Sequence, residues 1–326
     1  MGKIVSFILQ KGGCGKTTTT VNIGGYLALK GFKVLMVDMD PQGNMTQHFG
    51  YVPENLDKTI RQVLRKEISL DEAIQKRSEH LHVVGNNILT AADELTFLQS
   101  FSREYLLRDQ LLPYVNQYDY ILIDCPPSLG ILSLNALCAS HEMFIVISPD
   151  YFPLMAVKSL IETFNVVKSR LNKTLKMKGI GITMCDSRTN HARQVIDILE
   201  KNFGSKIYPS YIRNNVLLKD ASGSGQTIFE HAPNSIGAKD YAALGEEFIL
   251  DHIDVQKKHQ YYDSVFNSLT ETEQNEILTF ALDQLNAYSK ERYENGTATE
   301  TIHKSVKLAR NSILEKMFPI KEKNYV

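Results

Sequence analysis

Six residues have the types and spacing to do chemistry together: Lys11, Lys16, Thr17, Asp38, Asp40 and Asp124. Lys16 and Thr17 lie in the stretch Gln10-Lys11-Gly12-Gly13-Cys14-Gly15-Lys16-Thr17-Thr18. Its three glycines let the backbone turn tightly with N–H groups facing inward, and a helix starting there adds its positive dipole end. A polyphosphate fits such a loop. Lys16 is placed to reach β- and γ-phosphates, and the Thr17 hydroxyl to hold Mg²⁺. The phosphate-binding set is therefore Gly12, Gly13, Cys14, Gly15, Lys16, Thr17 and Thr18. The usual G-x-x-x-x-G-K-[ST] spacing is broken, because Gln10 stands where its first glycine belongs and a second lysine, Lys11, guards the entrance.

The carboxylates follow the same logic. The apolar run Val34 to Val37 ends in Asp38-Met39-Asp40-Pro41-Gln42-Gly43-Asn44, and Tyr120 to Ile123 ends in Asp124-Cys125-Pro126-Pro127-Ser128. Aspartates closing an apolar strand are costly unless they serve a cation or a water. Asp124 is expected to hold the metal together with Thr17, and Pro126-Pro127 to stiffen the loop behind it. Asp40-Pro41-Gln42-Gly43 also reads as a plain turn.

These side chains need a frame that brings strand ends together. Continuous apolar runs at Ile4 to Leu9, Val34 to Val37, Leu81 to Val84, Tyr120 to Ile123, Met143 to Ile147 and Ile180 to Met184 read as strands buried on both faces. Helical patterns lie between them, from Thr17 to Lys30 and from Leu154 to Leu171, the latter with Val157, Leu160, Ile161, Phe164 and Val167 on one face. Strands alternating with helices predict an α/β fold, a doubly wound and mostly parallel sheet with its ligand at the strands' carboxyl ends.

Composition narrows the class. The chain has 326 residues, 43% of them hydrophobic and 22% charged, which suits one large α/β domain with an appendage or two domains. A net charge of −1 gives no global pull toward nucleic acid or anionic lipid, so such binding needs a local patch. The cysteines Cys14, Cys125, Cys138 and Cys185 show neither zinc-site nor disulfide spacing and read as reduced thiols. With no signal-like start and no apolar run of about 18 residues, the expectation is a cytoplasmic chain that is neither secreted nor membrane-spanning.

Together the loop, Asp38-Met39-Asp40-Pro41-Gln42-Gly43-Asn44 and Asp124-Cys125-Pro126-Pro127 resemble the ParA/MinD ATPases, whose deviant loop reads K-G-G-x-G-K-T-T. The likeness spans residues 2–250 and is greatest to Soj-like ParA proteins that lack an N-terminal DNA-binding domain. It implies a slow, Mg²⁺-dependent ATP hydrolase that forms an ATP-sandwich homodimer. Lys11 would cross to the partner's nucleotide, Asp40 would orient the attacking water, and Asp38 would support the metal site. The resemblance further implies nonspecific DNA binding on the nucleoid, stimulation by a ParB-like or centromere-binding adaptor, and partition of a plasmid, chromosome or other cargo. The family segment framing adenine corresponds to Arg213-Asn214-Asn215. Asn135 reads as a nucleotide contact or a turn cap.

The chain departs from the family at Met155-Ala156, where the family usually reads Glu-Gly, at Arg213-Asn214-Asn215 (Pro-Arg-Asn) and at Asp220-Ala221-Ser222 (Glu-Ala-Pro), and more consequentially in two further places. Pro233-Asn234-Ser235-Ile236 lacks the arginine and lysine that ParA proteins commonly carry at Asn234 and Ile236 and use to grip DNA phosphates. Compensation is expected from Arg188, Arg193, Lys201, Lys206, Lys219 and Lys239, or from Lys168, Arg170, Lys173, Lys176 and Lys178. Residues 251–326 extend past the family domain and read as a helical hairpin, with Ile277, Leu278, Ala281, Leu282, Leu285 and Tyr288, then Ile302, Val306, Ala309, Ile313 and Met317, in register. It could pack on the sheet, dock a partner or lie on a membrane. The third possibility underlies the alternative, a MinD-like membrane-associated switch. Its charges are too mixed to favour lipid, so a membrane partner is not expected. Ligases and iron proteins sharing the loop are a further alternative, opposed by Lys11, the Asp40 segment and the cysteine positions.

Overall fold

The computed structural model describes residues 2–149, 153–186 and 188–250, together with Thr270. The chain divides into two compact units, Met1–Tyr241 and Ala242–Val326. The expected C-terminal hairpin lies outside the described residues.

Eight strands form one sheet: β1 (Lys3–Ile8), β2 (Val34–Asp38), β3 (Ile74–Lys76), β4 (Leu81–Val84), β5 (Tyr120–Asp124), β6 (Glu142–Ile147), β7 (Lys176–Cys185) and β8 (Ile207–Arg213). Their order is β3-β4-β2-β5-β1-β6-β7-β8. Every pairing is parallel except β3 with β4. The six expected strands are present, and the sheet is doubly wound. β3 and β8 are additional edge strands. Neither carries a continuous apolar run, and Pro209 inside β8 is tolerated at an edge, where a missing N–H is cheap.

The apolar runs explain the core. All five residues of β2 and of β5 are buried, and each such Val, Leu or Ile side chain contributes about 1.5–3 kcal/mol by leaving water. Phe144 on β6 meets Phe7 on β1 and Tyr208 on β8 with ring centroids 5.4 and 5.1 Å apart. Helix α1 (Lys16–Leu29) presses closely on this sheet at Gly24, where a Cβ would stand 2.6 Å from the Met36 sulfur. Buried Asn22 on α1 accepts from the Ile228 N–H at 2.8 Å and donates to the Thr18 carbonyl at 2.8 Å. The Thr19 hydroxyl lies 3.1 Å from that of buried Tyr241. The start of α1 is thus pinned on several sides.

The expected helix from Leu154 to Leu171 is observed as Pro153–Arg170, with Val157, Leu160, Phe164 and Val167 buried. The four cysteines are free and buried. Among the described residues, no helix is long and apolar enough to cross a membrane.

Candidate active site

All strands but β3 point the same way, so β1, β2 and β5, adjacent in the sheet, release their chains at one edge. β1 leads into the glycine loop, whose two sharp reversals fall at Gly13 (φ 70°) and Gly15 (φ 83°). Only glycine adopts this left-handed geometry cheaply. Gly15 is the residue before α1, and no side chain caps that helix start. The first-turn N–H groups are therefore available to an anion, reinforced by the helix dipole.

The Thr17 hydroxyl donates to Asp124 Oδ2 at 2.6 Å. The Thr20 hydroxyl, one turn later, donates to the Lys16 carbonyl at 2.9 Å and lies 3.3 Å from Asp124 Oδ1. Lys16 is buried and its Nζ donates to the Lys11 carbonyl at 2.9 Å, closing the loop on itself. Lys11 Nζ donates to Ser148 Oγ, just past β6, at 3.4 Å.

Asp38 and Asp124 are register partners across β2 and β5, and both are fully buried. Burial, foremost, pushes both carboxyls well above the usual carboxylate range; the charge of Asp124 adds to the effect on Asp38. The Thr17 hydrogen bond and the Lys16 charge draw Asp124 back. Asp38 Oδ2 accepts from the Thr46 N–H at 2.9 Å and the Thr46 hydroxyl at 2.7 Å, while its Oδ1 accepts from the Asp40 N–H at 3.1 Å. Thr46 Oγ1 in turn accepts from the Asn86 N–H at 2.8 Å, tying the turn after β2 to the loop after β4. Asp40 accepts from the Gln42 N–H at 3.0 Å and is also raised by burial, against opposing effects from that bond and from Lys16. Two lysines and three buried carboxylates around an open helix start can hold an oligophosphate with a hard cation and direct a water at it.

The structure links Lys11, Lys16, Thr17, Asp124, Asp38 and Asp40 through these contacts. Arg213 and Asn214 stand outside that network at the end of β8. The Arg213 guanidinium and backbone N–H both bond Asp240, and Asn214 is exposed. Asn135 is a buried bolt: it donates to the Arg103 and Ile131 carbonyls at 2.7 and 3.0 Å and accepts from the Leu107 N–H at 3.1 Å. Lys178 corrects an expectation. It is buried and faces Glu142 at 3.7 Å, so it contributes nothing to an exposed basic patch. Thr46 and Thr183 escaped the sequence reading; a threonine closing the apolar stretch Ile180-Gly181-Ile182 was the available signal.

Comparison with known proteins places this geometry in a family. A family model described as "AAA domain" matches residues 2–177, more than half of the chain. The chain is 40% identical over 248 residues to sporulation initiation inhibitor protein Soj of Bacillus subtilis, covering 76% of this chain and 98% of Soj. It is 38% identical over 250 residues to chromosome partitioning protein ParA of Myxococcus xanthus, covering 76% and 88%. Among solved structures, it is 33% identical to cobyrinic acid a,c-diamide synthase from Mycobacterium smegmatis with bound ATP analogue and magnesium, with TM-score 0.60, covering 63% of this chain and 84% of that one. With the deviant loop, the paired strand-end aspartates and the parallel sheet all present, the chain belongs to the ParA/MinD-type P-loop ATPases and is related to the Soj-like partition proteins.

Proposed function

We propose that this ParA-like ATPase hydrolyses ATP after two ATP-bound copies meet face to face, and that the dimer holds DNA and positions a cargo. The observation that carries the reading is the 2.6 Å Thr17–Asp124 bond beneath a helix start that no side chain caps. Hydroxyl and carboxylate oxygens are the hard donors that suit Mg²⁺, which takes few protein ligands when phosphates share its shell. Bound at Thr17 and Asp124 with ATP, Mg²⁺ would neutralise charge on the phosphates; magnesium beside an ATP analogue in the synthase supports this pairing.

The chain's own part is positioning. The N–H groups of Gly13 to Thr18 and the Lys16 ammonium hold the phosphates, with Lys16 giving up the Lys11 carbonyl to do so. Lys11 leaves Ser148 and reaches the other copy's nucleotide, so turnover waits for pairing. Asp40 orients the attacking water, and Asp38 keeps its turn in place through Thr46. Arg213 and Asn214 flank the adenine end. Residues 1–250 form the ATPase domain and residues 251–326 an appended helical element.

Lys168, Arg170, Lys173 and Lys176 are the favoured DNA contacts. All four are exposed, and the three lysines share with Lys3 a recess of about 390 Å³ at the sheet's other edge. The ATP dimer sits on the nucleoid, and a ParB-like adaptor stimulates hydrolysis there. The synthase likeness raises an amide-forming ligase as a second reading, but Lys11 with Asp40-Pro41-Gln42-Gly43-Asn44 and the near-full-length match to Soj favour partition.

Lys16→Ala tests the nucleotide site: ATP affinity is expected to fall more than about 100-fold, and retained affinity in a titration would sink the assignment. Duplex DNA binding with ADP, ATP and a nonhydrolysable analogue across a salt series tests the rest. ATP-dependent binding that weakens steeply with salt supports it. A normal ATP dimer that ignores DNA turns the reading to the MinD-like alternative, tested by liposome cosedimentation with and without residues 299–326.

A further inference from the structure

We infer that Thr183 and Met184, at the end of β7, position the phosphate loop by holding the Cys14–Gly15 peptide with its N–H turned toward the phosphates. This rests on the phosphate-loop reading above and adds to it two residues from a strand that is not β1's neighbour.

β7 pairs with β6 as far as Ile147↔Ile182, but against β8 it shifts register between Ile180 and Ile182 and again between Ile182 and Cys185. The strand therefore ends in an irregular corner. Met184 occupies it at φ 51°, a left-handed conformation costly for any residue with a Cβ. Strain of this kind persists where the surroundings require it, and here the requirement is visible. The corner delivers the buried Thr183 hydroxyl 2.7 Å from the Cys14 carbonyl and 3.3 Å from the Ile147 carbonyl. A hydroxyl has one hydrogen, and the shorter distance assigns it to Cys14.

Across a trans peptide the C=O and the N–H point in opposite directions. Fixing the Cys14 carbonyl toward β7 therefore turns the Gly15 N–H away from β7. Gly15 faces the same two side chains: a Cβ there would make ordinary van der Waals contact, 3.5 Å from Thr183 Oγ1 and 3.7 Å from Met184 Cε. These two side chains wall the β7 side of the loop. Neither is a catalytic residue; each acts on the phosphates through the loop backbone.

Thr183→Val removes the hydrogen and keeps the shape, while Thr183→Ser keeps the hydrogen. In titrations with ADP and ATP, Thr183→Val is expected to weaken both affinities about tenfold, the worth of one buried hydrogen bond. Turnover at saturating ATP should stay within about twofold, and Thr183→Ser should restore affinity to within about twofold. Met184→Gly relieves the backbone but removes the wall, so it should melt at a higher temperature and bind ADP more weakly. Wild-type ADP affinity in folded Thr183→Val overturns the inference. So does an equal loss in Thr183→Ser, or a loss confined to turnover. Should Thr183→Val fail to fold, unchanged ADP affinity in Met184→Gly overturns it instead. Lys16→Ala separates the two levels: if it keeps ADP affinity, both readings fall, whereas its loss beside a normal Thr183→Val refutes this one alone.

Discussion

The two edges of the sheet both carry charge, and they carry it in opposite ways. At the carboxyl edge, Asp38, Asp40, Asp124 and Lys16 are buried. At the amino edge, Lys168, Lys173 and Lys176 are exposed around a shallow recess. Burying an ion costs several kcal/mol unless partners compensate, whereas a solvated lysine costs almost nothing. The carboxyl edge is therefore a commitment made on folding, and each of its groups is held by named bonds. The amino edge is only a field, adjustable one residue at a time.

Asp124→Asn breaks the comparison most sharply. Phosphate release is expected to fall at least about 100-fold, close to 2.7 kcal/mol in the barrier, while the nucleotide-free protein melts at the same or a higher temperature because a buried charge is gone. A variant that hydrolyses normally, or unfolds early, would show that Asp124 is structural. At the other edge, Lys168→Glu with Lys173→Glu should lower DNA affinity about tenfold near 100 mM salt and flatten the salt dependence by about two units. Its stability should stay within about 0.5 kcal/mol of the parent. Unchanged DNA binding would move the contacts elsewhere, to Arg188, Lys201 or Lys219.

The smallest effect is a pH dependence. Burial raises the Asp38 and Asp124 carboxyls, while in the unfolded chain they titrate near about 4. Between those limits the native chain holds protons the unfolded chain has lost, so stability falls as pH rises through the window and levels off above it. Thermal melts of the nucleotide-free protein from pH 5 to pH 8 should show the melting temperature falling as pH rises. A flat profile over the same range would mean the pair is ionised and well compensated.

Much of this was legible because buried parallel strands must be apolar throughout. The runs ending in Asp38 and Asp124 announced both the strands and the carboxylates at their tips. β8 was hidden because an edge strand alternates, and Ile207-Tyr208-Pro209-Ser210-Tyr211 breaks the pattern with proline and serine. Lys178 looked like its basic neighbours in the sequence, yet β7 shifts register against β6 at this residue, and Lys178 is buried facing Glu142. Thr183 was unreadable for a different reason. Its partner Cys14 is 169 positions away, and only the β1-β6-β7 order brings them together.

The helix start at Gly15 that no side chain caps also has a consequence for the protein's lifetime in a cell. A ligand that completes a helix belongs to the fold as much as to the reaction. Nucleotide present at about a hundred times its dissociation constant would add about 2.7 kcal/mol to stability, enough to lower the unfolded fraction roughly a hundredfold. Starvation that drains the nucleotide pool would then expose the chain to proteolysis as well as halting it, coupling its abundance to the energy state of its host.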